Sequence, residues 1–316
     1  MVDITLLGTA ATMPLPDRAL TSVFLSYSGH SILFDCGEGT QTAARKSHIS
    51  LMKTDLIALT HYHGDHIFGL PGLLQTMGCL GRTQPLYIIG PDGLEKVMEL
   101  IVSMSGQMPF PIYALFPMER SESKDFYSFR ISDYISEWPG ETSLTVFKTE
   151  HRVESCGYSF HVRRPGKFIP ENAEKAGVPK RLWGTLQKGE SIELDDGRVI
   201  YPDSVLGQER KGLSVVFSGD TSPCSNLIKA SADADLLICD STYGDSSHTV
   251  QAEKYGHSTF AEAAGVAKEA GVKRLWLTHF SQIMEDPDEF LNNAAEVFPD
   301  SVCGKDGLSV SLKFED

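Results

Sequence analysis

The sequence predicts an α/β fold built in layers, and two observations support this prediction. Short apolar segments separated by Gly, Pro, Asp and Asn recur in both halves of the 316-residue chain and are typical of strands. Segments with apolar residues at helical spacing accompany them in both halves, as if two βα layers faced each other. Because 41% of the residues are hydrophobic, the chain can bury a large core. We therefore expect one domain over residues 1–316.

The individual elements follow from these patterns. Helices are predicted over residues 71–81, 90–106 and 257–272, where apolar residues recur every three or four positions and glycines lie near the ends. Residues 309–314 alternate as a last strand. The other predicted strands are Ile4–Leu7, Val23–Tyr27, Ser31–Phe34, Leu56–Leu59, Pro85–Ile89, Leu144–Phe147, Gly157–His161, Leu213–Phe217, Leu236–Cys239 and Leu275–Leu277.

The stretch "LTHYHGDH" concentrates potential metal ligands directly after a predicted strand. His61 and His63 point to the same side if the strand geometry continues, Gly64 permits a turn, and Asp65 and His66 follow it. Histidine nitrogens with a carboxylate suit Zn²⁺ or Mn²⁺, and the absence of nearby cysteines argues against a closed structural zinc site. The alternative, a polar surface turn, requires three of the ten histidines to coincide within six positions.

Later strands end in similar groups. His151 follows "VFKTE", Asp220 lies in "FSGDT", and His279 follows "LWLT". A single histidine at a strand end is more often structural than a ligand. The same ligand chemistry at several strand ends instead favours a site with more than one metal ion.

Charge is unevenly distributed. The net charge of −14, from 28 basic and 42 acidic residues, argues against a nucleic-acid partner. However, residues 162–189 contain seven basic and only two acidic residues. Residues 162–195 thus form either a solvated basic loop or an inserted arm for an anionic polymer, and composition alone leaves both open.

Several features point to the cytoplasm. No apolar run reaches 18 residues, and the N-terminal residues lack the charged and apolar regions of a signal peptide. The six cysteines are scattered without a Cys-x-x-Cys pair, which predicts reduced thiols. We expect a cytoplasmic protein without a membrane partner.

Four motifs occur in an order that resembles the metallo-β-lactamase superfamily: "THYHGDHIFGLPGLL", "HRVESCGY", "FSGDT" and "LTHFS". Within it the chain resembles the ribonuclease Z family, through "GDHIFGLPGLL", "DCGEGTQ" and "HST". The resemblance runs over nearly the whole length. It implies an αββα sandwich with an inserted basic arm, and an endoribonuclease that removes the 3′ trailer from precursor tRNA and leaves a 3′-OH.

The resemblance also implies roles for individual residues. One zinc ion would be held by His61, His63 and His151, and a second by Asp65, His66 and His279, with Asp220 between them. Two Zn²⁺ per subunit, or Mn²⁺, would provide hydroxide to attack the phosphodiester. Asp65 would orient or deprotonate this nucleophile, and His257, supported by Asp240, would stabilise the phosphate or protonate the leaving oxygen.

The arm and the quaternary structure follow from the same resemblance. Basic arm residues would bind the tRNA, in a chain expected to form a homodimer; they are Arg163, Arg164, Lys167, Lys180, Arg181 and Lys188. Trp183 could pack or stack there. Two alternatives remain: a phosphodiesterase of the same fold acting on cyclic nucleotides or other small phosphodiesters, and a non-catalytic metal-binding module.

Four departures from the family pattern qualify these expectations. Asp240 stands where the family usually has glutamate, so its reach to His257 is shorter. The loop after His279, "HFSQIMED", lacks the family's arginine. Arg18 is followed by Ala19 where the family often has asparagine, and the arm lacks an intact Gly-Pro pair.

Overall fold

The computed structural model describes residues 1–116, 125–140 and 142–315. Its strands are numbered along the chain: β1 (Val2–Gly8), β2 (Ser22–Tyr27), β3 (His30–Phe34), β4 (Leu56–Ala58), β5 (Leu86–Ile89), β6 (Ile112–Leu115), β7 (Phe126–Arg130), β8 (Thr142–Lys148), β9 (Cys156–Arg164), β10 (Ile192–Glu193), β11 (Val199–Ile200), β12 (Arg210–Phe217), β13 (Leu236–Asp240), β14 (Leu275–Thr278), β15 (Ser301–Cys303) and β16 (Ser309–Leu312).

The α-helices are numbered in the same way: α1 (Thr40–Lys46), α2 (Gly64–Ile67), α3 (Leu70–Cys79), α4 (Leu94–Ser105), α5 (Pro170–Lys175), α6 (Trp183–Gln187), α7 (Ser225–Ala230), α8 (Thr249–Tyr255), α9 (Phe260–Ala270) and α10 (Leu291–Ala295). Among the described residues, no helix is both long enough and apolar enough to cross a lipid bilayer.

Most of these strands form two seven-stranded sheets of similar design. The first has the order β16-β1-β2-β3-β4-β5-β6, and the second β15-β14-β13-β12-β9-β8-β7. In each sheet one side is antiparallel and the other parallel, as in β3-β4-β5-β6 and β12-β13-β14-β15. Because parallel strands run in the same direction, the loops that follow them collect at one edge of each sheet.

The sheets pack face to face with helices on the outside. Fully buried side chains of both sheets, among them Ile4, Ile32, Tyr158 and Phe160, share one apolar core. A second cluster lies between the first sheet and helices α1, α3 and α4, and a third between the second sheet and helices α7, α9 and α10. These layers confirm the predicted αββα sandwich. Since one core joins both sheets, we propose that they form a single domain.

The sequence missed strands whose own pattern is weak. Strands β6, β7 and β15 were not predicted. In each of them, one face of the strand has no fully buried residue. They lie at or near sheet edges, where pairing with a neighbouring strand rather than local alternation determines the conformation. The short helices α1, α7, α8 and α10 were missed for a similar reason, because few of their residues are buried.

The inserted segment between β9 and β12 has a structure of its own. Val162, Arg163 and Arg164, placed in the arm by the sequence, belong to β9, so the arm comprises residues 165–209. It contains α5, α6 and the small β10–β11 sheet. An apolar cluster supports it, built from Ala173, Val178, Leu186, Ile192, Leu194 and Val205. The arm is therefore not merely a solvated loop.

Candidate metal centre

Loops from both sheets meet at one edge of the sandwich. The first sheet contributes the segment after β4, in which His61 and His66 are completely buried. The second sheet contributes His151 after β8, Asp220 after β12 and His279 after β14. The structure brings together all seven residues that the sequence analysis singled out as metal ligands.

Three histidines and Asp220 form the first group. The Nε2 atom of His61 lies 2.9 Å from Nδ1 of His63 and 3.7 Å from Oδ2 of Asp220. The Nε2 atom of His151 lies 3.4 Å from the same Nδ1 of His63. Ligand atoms of these four residues all lie within 4.8 Å of one another.

The second group lies on the other side of Asp220. The Oδ1 atom of Asp220 is 3.2 Å from Nε2 of His66 and 3.3 Å from Nε2 of His279. Oδ2 of Asp65 lies 3.5 Å from Nε2 of His279 and 3.8 Å from Nε2 of His66. Asp220 is thus in reach of both groups.

The donor set fits metal ions. Nε2 of His66, Nε2 of His279 and Oδ1 of Asp220 are buried and lack a hydrogen-bond partner among the described residues. Such buried polar atoms are costly unless something pairs with them. Imidazole nitrogens and carboxylate oxygens are the ligands that zinc and related ions accept. The residues therefore form a site compatible with metal binding.

The charges support the same conclusion. Burial raises the pKa of Asp220, but His279 and His66 outweigh this and hold it well below the ordinary value. Burial lowers the pKa of His66 and His279, yet Asp220 raises both, that of His279 to about 10. In the first group burial lowers the pKa of His61 and His63. Burial thus favours the neutral imidazole of His61 and His63, whereas Asp220 favours the protonated form of His66 and His279, whose positive charge a cation can replace.

Four histidines are oriented by partners on their second ring nitrogen. Nδ1 of His66 lies 2.7 Å from Oδ2 of Asp35, and Nδ1 of His279 lies 2.9 Å from Oγ1 of Thr242. Nδ1 of His61 lies 3.1 Å from Oγ1 of Thr60, and Nδ1 of His151 lies 2.8 Å from the carbonyl oxygen of Gly256. Such contacts direct the opposite nitrogen toward the centre.

Sequence reasoning missed these supporting residues. Asp35 directly follows a buried strand in "ILFDCGEGTQ", and this position of a charged residue was the available signal. Its carboxylate is fully buried and also accepts hydrogen bonds from the backbone N–H and hydroxyl of Thr60. Gly256 has φ +72°, and a Cβ atom there would lie 2.8 Å from Cα of His151. Only glycine suits that position.

His257 and Asp240 lie beside the centre as a pair. Nδ1 of His257 is 2.8 Å from Oδ2 of Asp240, so the shorter carboxylate does reach the histidine. Asp240 also accepts hydrogen bonds from Thr221 and Thr242, which occupy both of its oxygens. Although ligand atoms of both residues lie near Asp220 and His279, Asp240 is committed to protein partners rather than to a metal.

The predicted RNA-binding residues divide into two sets. Arg163 pairs with Glu209 at 2.6 Å, and Arg164 donates to the Glu315 carbonyl and stacks on Phe314. The other four are exposed on the arm itself: Lys167, Lys180, Arg181 and Lys188. Trp183 packs in the arm, where its Nε1 donates to the carbonyl of Val178 at 3.0 Å.

Relatives match the entire chain. The chain is 42% identical to the ribonuclease Z of Agathobacter rectalis over 316 residues, covering 100% of both chains. It is also 42% identical to the ribonuclease Z of Lachnoclostridium phytofermentans over 315 residues, covering 100% of this chain and 99% of the relative.

Family models and a solved structure agree with this similarity. Residues 204–280 match the model of the beta-lactamase superfamily domain, and residues 2–165 match that of anti-Pycsar protein Apyc1. The short form of human tRNase Z has a TM-score of 0.68 and 27% identity, covering 99% of this chain and 100% of the human chain.

Proposed function

Since the chain belongs to the ribonuclease Z family of phosphodiester-hydrolysing endoribonucleases, we propose that it removes the 3′ trailer from precursor tRNA and leaves a 3′-OH. The observation that carries this proposal is the meeting of seven metal-type ligands from two sheets beside the His257–Asp240 pair. The full-length similarity to two bacterial ribonucleases Z supports the choice of substrate.

We propose that the centre holds two Zn²⁺ ions, with Mn²⁺ as a substitute. His61, His63 and His151 would hold one ion, while Asp65, His66 and His279 would hold the other. Asp220 would be shared. When bound, paired ions make water a stronger nucleophile and offset the charge that develops on the phosphate.

The chain's own residues would then manage the protons. Burial raises the pKa of Asp65, but His279, whose Nε2 lies 3.5 Å from Oδ2 of Asp65, and the charge of His66 lower it overall, so Asp65 is an anion that can orient the attacking water and accept its proton. The water oxygen forms a bond to phosphorus while the bond to the 3′ oxygen breaks. His257, only 12% exposed in its side chain and fixed by Asp240, would protonate the departing 3′ oxygen.

The arm would bind the tRNA through its exposed basic residues. Phosphate contacts position an RNA without reading its sequence. Lys180 lies with its Nζ atom 5.6 Å from the ring centre of Trp183, so the indole is covered by a lysine rather than offered to a base. Electrostatic contact is therefore the role that we propose for the arm, whereas Arg163 and Arg164 fasten its base.

Removing charge from the arm should separate RNA from small substrates. In the triple variant Lys180→Ala, Arg181→Ala, Lys188→Ala, we expect kcat/KM for precursor tRNA to fall about tenfold to a hundredfold, because three phosphate contacts are lost. Hydrolysis of bis(p-nitrophenyl) phosphate should stay unchanged. Substitution is a better test than deletion of residues 165–188, since deletion would remove half of the arm's apolar cluster. The matched control neutralises Lys53, Lys96 and Lys229 on the body. Equal losses for both substrates would contradict the role.

The substrate itself can be tested by mapping product ends. Precursor tRNAs with and without an encoded CCA should be cut at the acceptor end, with a 3′-OH on the tRNA product. The alternative function is a phosphodiesterase for cyclic nucleotides or other small phosphodiesters. Faster turnover of a cyclic nucleotide, with no cleavage at the acceptor end, would favour this alternative.

We further propose a homodimer in the cytoplasm. Four large apolar side chains are exposed on or at the ends of helices α2, α3 and α4: Phe68 (70%), Leu80 (65%), Leu100 (60%) and Met104 (69%). An exposed apolar group of this kind is typical of an interface. The double variant Phe68→Ser, Met104→Ser should raise the dissociation constant of the dimer about thirtyfold, or ~2 kcal/mol. Light scattering over a range of protein concentrations measures this constant. Val250→Ser, also highly exposed, is the control. An unchanged dimer would refute this surface.

A further inference from the structure

A loop near the N-terminus joins two segments that carry proposed ligands of the same group, the one with Asp65 and the one with His279. This N-terminal loop, residues 9–20, is closed at its base because the backbone N–H groups of Thr9 and Ala10 both donate to the Ala19 carbonyl. It pairs with Phe280, the residue directly after His279: Phe280 donates to the Thr9 carbonyl at 2.8 Å and accepts from Ala11 at 3.0 Å. The loop therefore lies against the segment that carries one proposed ligand.

The tip of the loop contacts a second proposed ligand. The backbone N–H of Thr12 donates to Oδ2 of Asp65 at 2.7 Å, and this oxygen also faces Nε2 of His279 at 3.5 Å. Thr12 has φ +63°, a conformation that is unfavourable for a β-branched residue and persists only when surrounding contacts hold it. Contacts elsewhere in the loop must therefore keep the Thr12 N–H in place.

Arg18 provides several of these contacts. Its Nη1 and Nη2 atoms donate to the carbonyls of Met284 and Glu285 at 3.2 Å and 3.1 Å, and its guanidinium lies 5.6 Å from the ring centre of Phe280. Two adjacent carbonyls and an aromatic face match a planar fork of donors, which lysine lacks. The loop after His279 contains no arginine of its own, and Arg18 supplies one from the opposite end of the chain.

Asp306 secures the base from the other direction. Its carboxylate accepts from the Thr9 hydroxyl at 2.9 Å and from the Ala19 backbone at 2.6 Å. With the base closed by Asp306, the backbone bonds of Phe280 and the bonds of Arg18 together hold the loop over the segment of residues 279–285. The position of the Thr12 N–H, and with it the orientation of Asp65, depends on that placement.

We propose that Arg18 is a positioning residue for the metal centre: it fastens the N-terminal loop to the segment after His279 and so sets the approach of Asp65 to His279. The inference rests on the proposed metal centre but not on tRNA as the substrate. It concerns one side of the centre, because the N-terminal loop has no hydrogen bond to the group of His61, His63 and His151 among the contacts described.

The test measures metal affinity rather than catalysis. Zn²⁺ titrations against a chromophoric chelator should resolve two dissociation constants for the unmodified chain. In Arg18→Ala, the dissociation constant of the site formed by Asp65, His66 and His279 should rise about tenfold to a hundredfold, as for the loss of residues that orient ligands. The dissociation constant of the other site should stay within about threefold of its normal value. The Co²⁺ absorption spectrum of this variant at one equivalent should match that of Asp65→Asn. Arg18→Lys should show an intermediate loss, and it replaces the alanine variant if that variant does not fold.

The control is Arg45→Ala. Arg45 is an exposed residue of α1, and none of the described hydrogen bonds joins it to the N-terminal loop. Both constants should be unchanged in this variant. If Arg18→Ala weakens both ions equally, or neither, the inference is overturned. If the unmodified chain binds no metal, the proposed function fails instead, so the two failures are distinguishable.

Discussion

Replacing Asp220 with asparagine should lower the rate of precursor tRNA cleavage by at least about a thousandfold, or ~4 kcal/mol. Among the described residues, Asp220 is the one whose oxygens face both ligand groups, with His61 on one side and His66 and His279 on the other. Asparagine keeps the size but removes the charge that holds both groups together. Elemental analysis should find less than two metal ions per chain.

A matched control distinguishes this effect from simple destabilisation. Asp235 is another buried carboxylate, 5% exposed, which accepts from the Ser214 backbone and pairs with Lys273 away from the centre. Asp235→Asn should lower the unfolding temperature without changing the metal content. Asp220→Asn protein that retains both ions and cleaves at the normal rate would refute the shared role of Asp220.

Replacing His257 with glutamine should lower kcat for precursor tRNA by about 10²-fold to 10⁴-fold, the usual contribution of a general acid. The metal content should not change, because Nδ1 of His257 is engaged with Asp240, while its ring only packs against the rings of the proposed ligands His151 and His279. Bis(p-nitrophenyl) phosphate provides the decisive comparison. Its leaving group departs without a proton, so the same variant should hydrolyse it at nearly the normal rate.

Two observations complete the interpretation of this variant. His248→Gln alters a histidine that stacks on Tyr243 outside the centre and should leave both activities unchanged. A His257→Gln variant that loses both activities in the same proportion would assign His257 to binding or to metal retention. Protonation of the leaving oxygen would then belong to another group.

Residues at strand ends could be predicted from the sequence because their signal is local. A strand pattern followed by His, Asp or Gly-Asp places the side chain at a sheet edge, and His151, Asp220 and His279 were all found this way. The same logic could have found Asp35, which directly follows β3, but its role depends on contacts with Thr60 and His66 from the segment after β4. Orientation of a ligand by a distant partner leaves no mark in the local pattern.

The arm and Arg18 illustrate the other limit. The arm has helices and strands too short for a periodic pattern to emerge, so its apolar cluster was not foreseen. Arg18 was noted only for its neighbour Ala19. Its acceptors are main-chain carbonyls of residues 284 and 285, and any residue has a carbonyl. Such a contact follows from the fold as a whole.

The division of the proposed ligands between the sheets has a consequence for folding. Each ion would take two ligands from the first sheet and one from the second, with Asp220 of the second sheet common to both. A bound ion is thus a cross-link between layers that are otherwise joined mainly by apolar packing. By linkage, an ion present at about a thousandfold above its dissociation constant adds ~4 kcal/mol to the free energy of unfolding. Undocked sheets would bind neither ion, so catalytic competence and the docking of the two layers are one event.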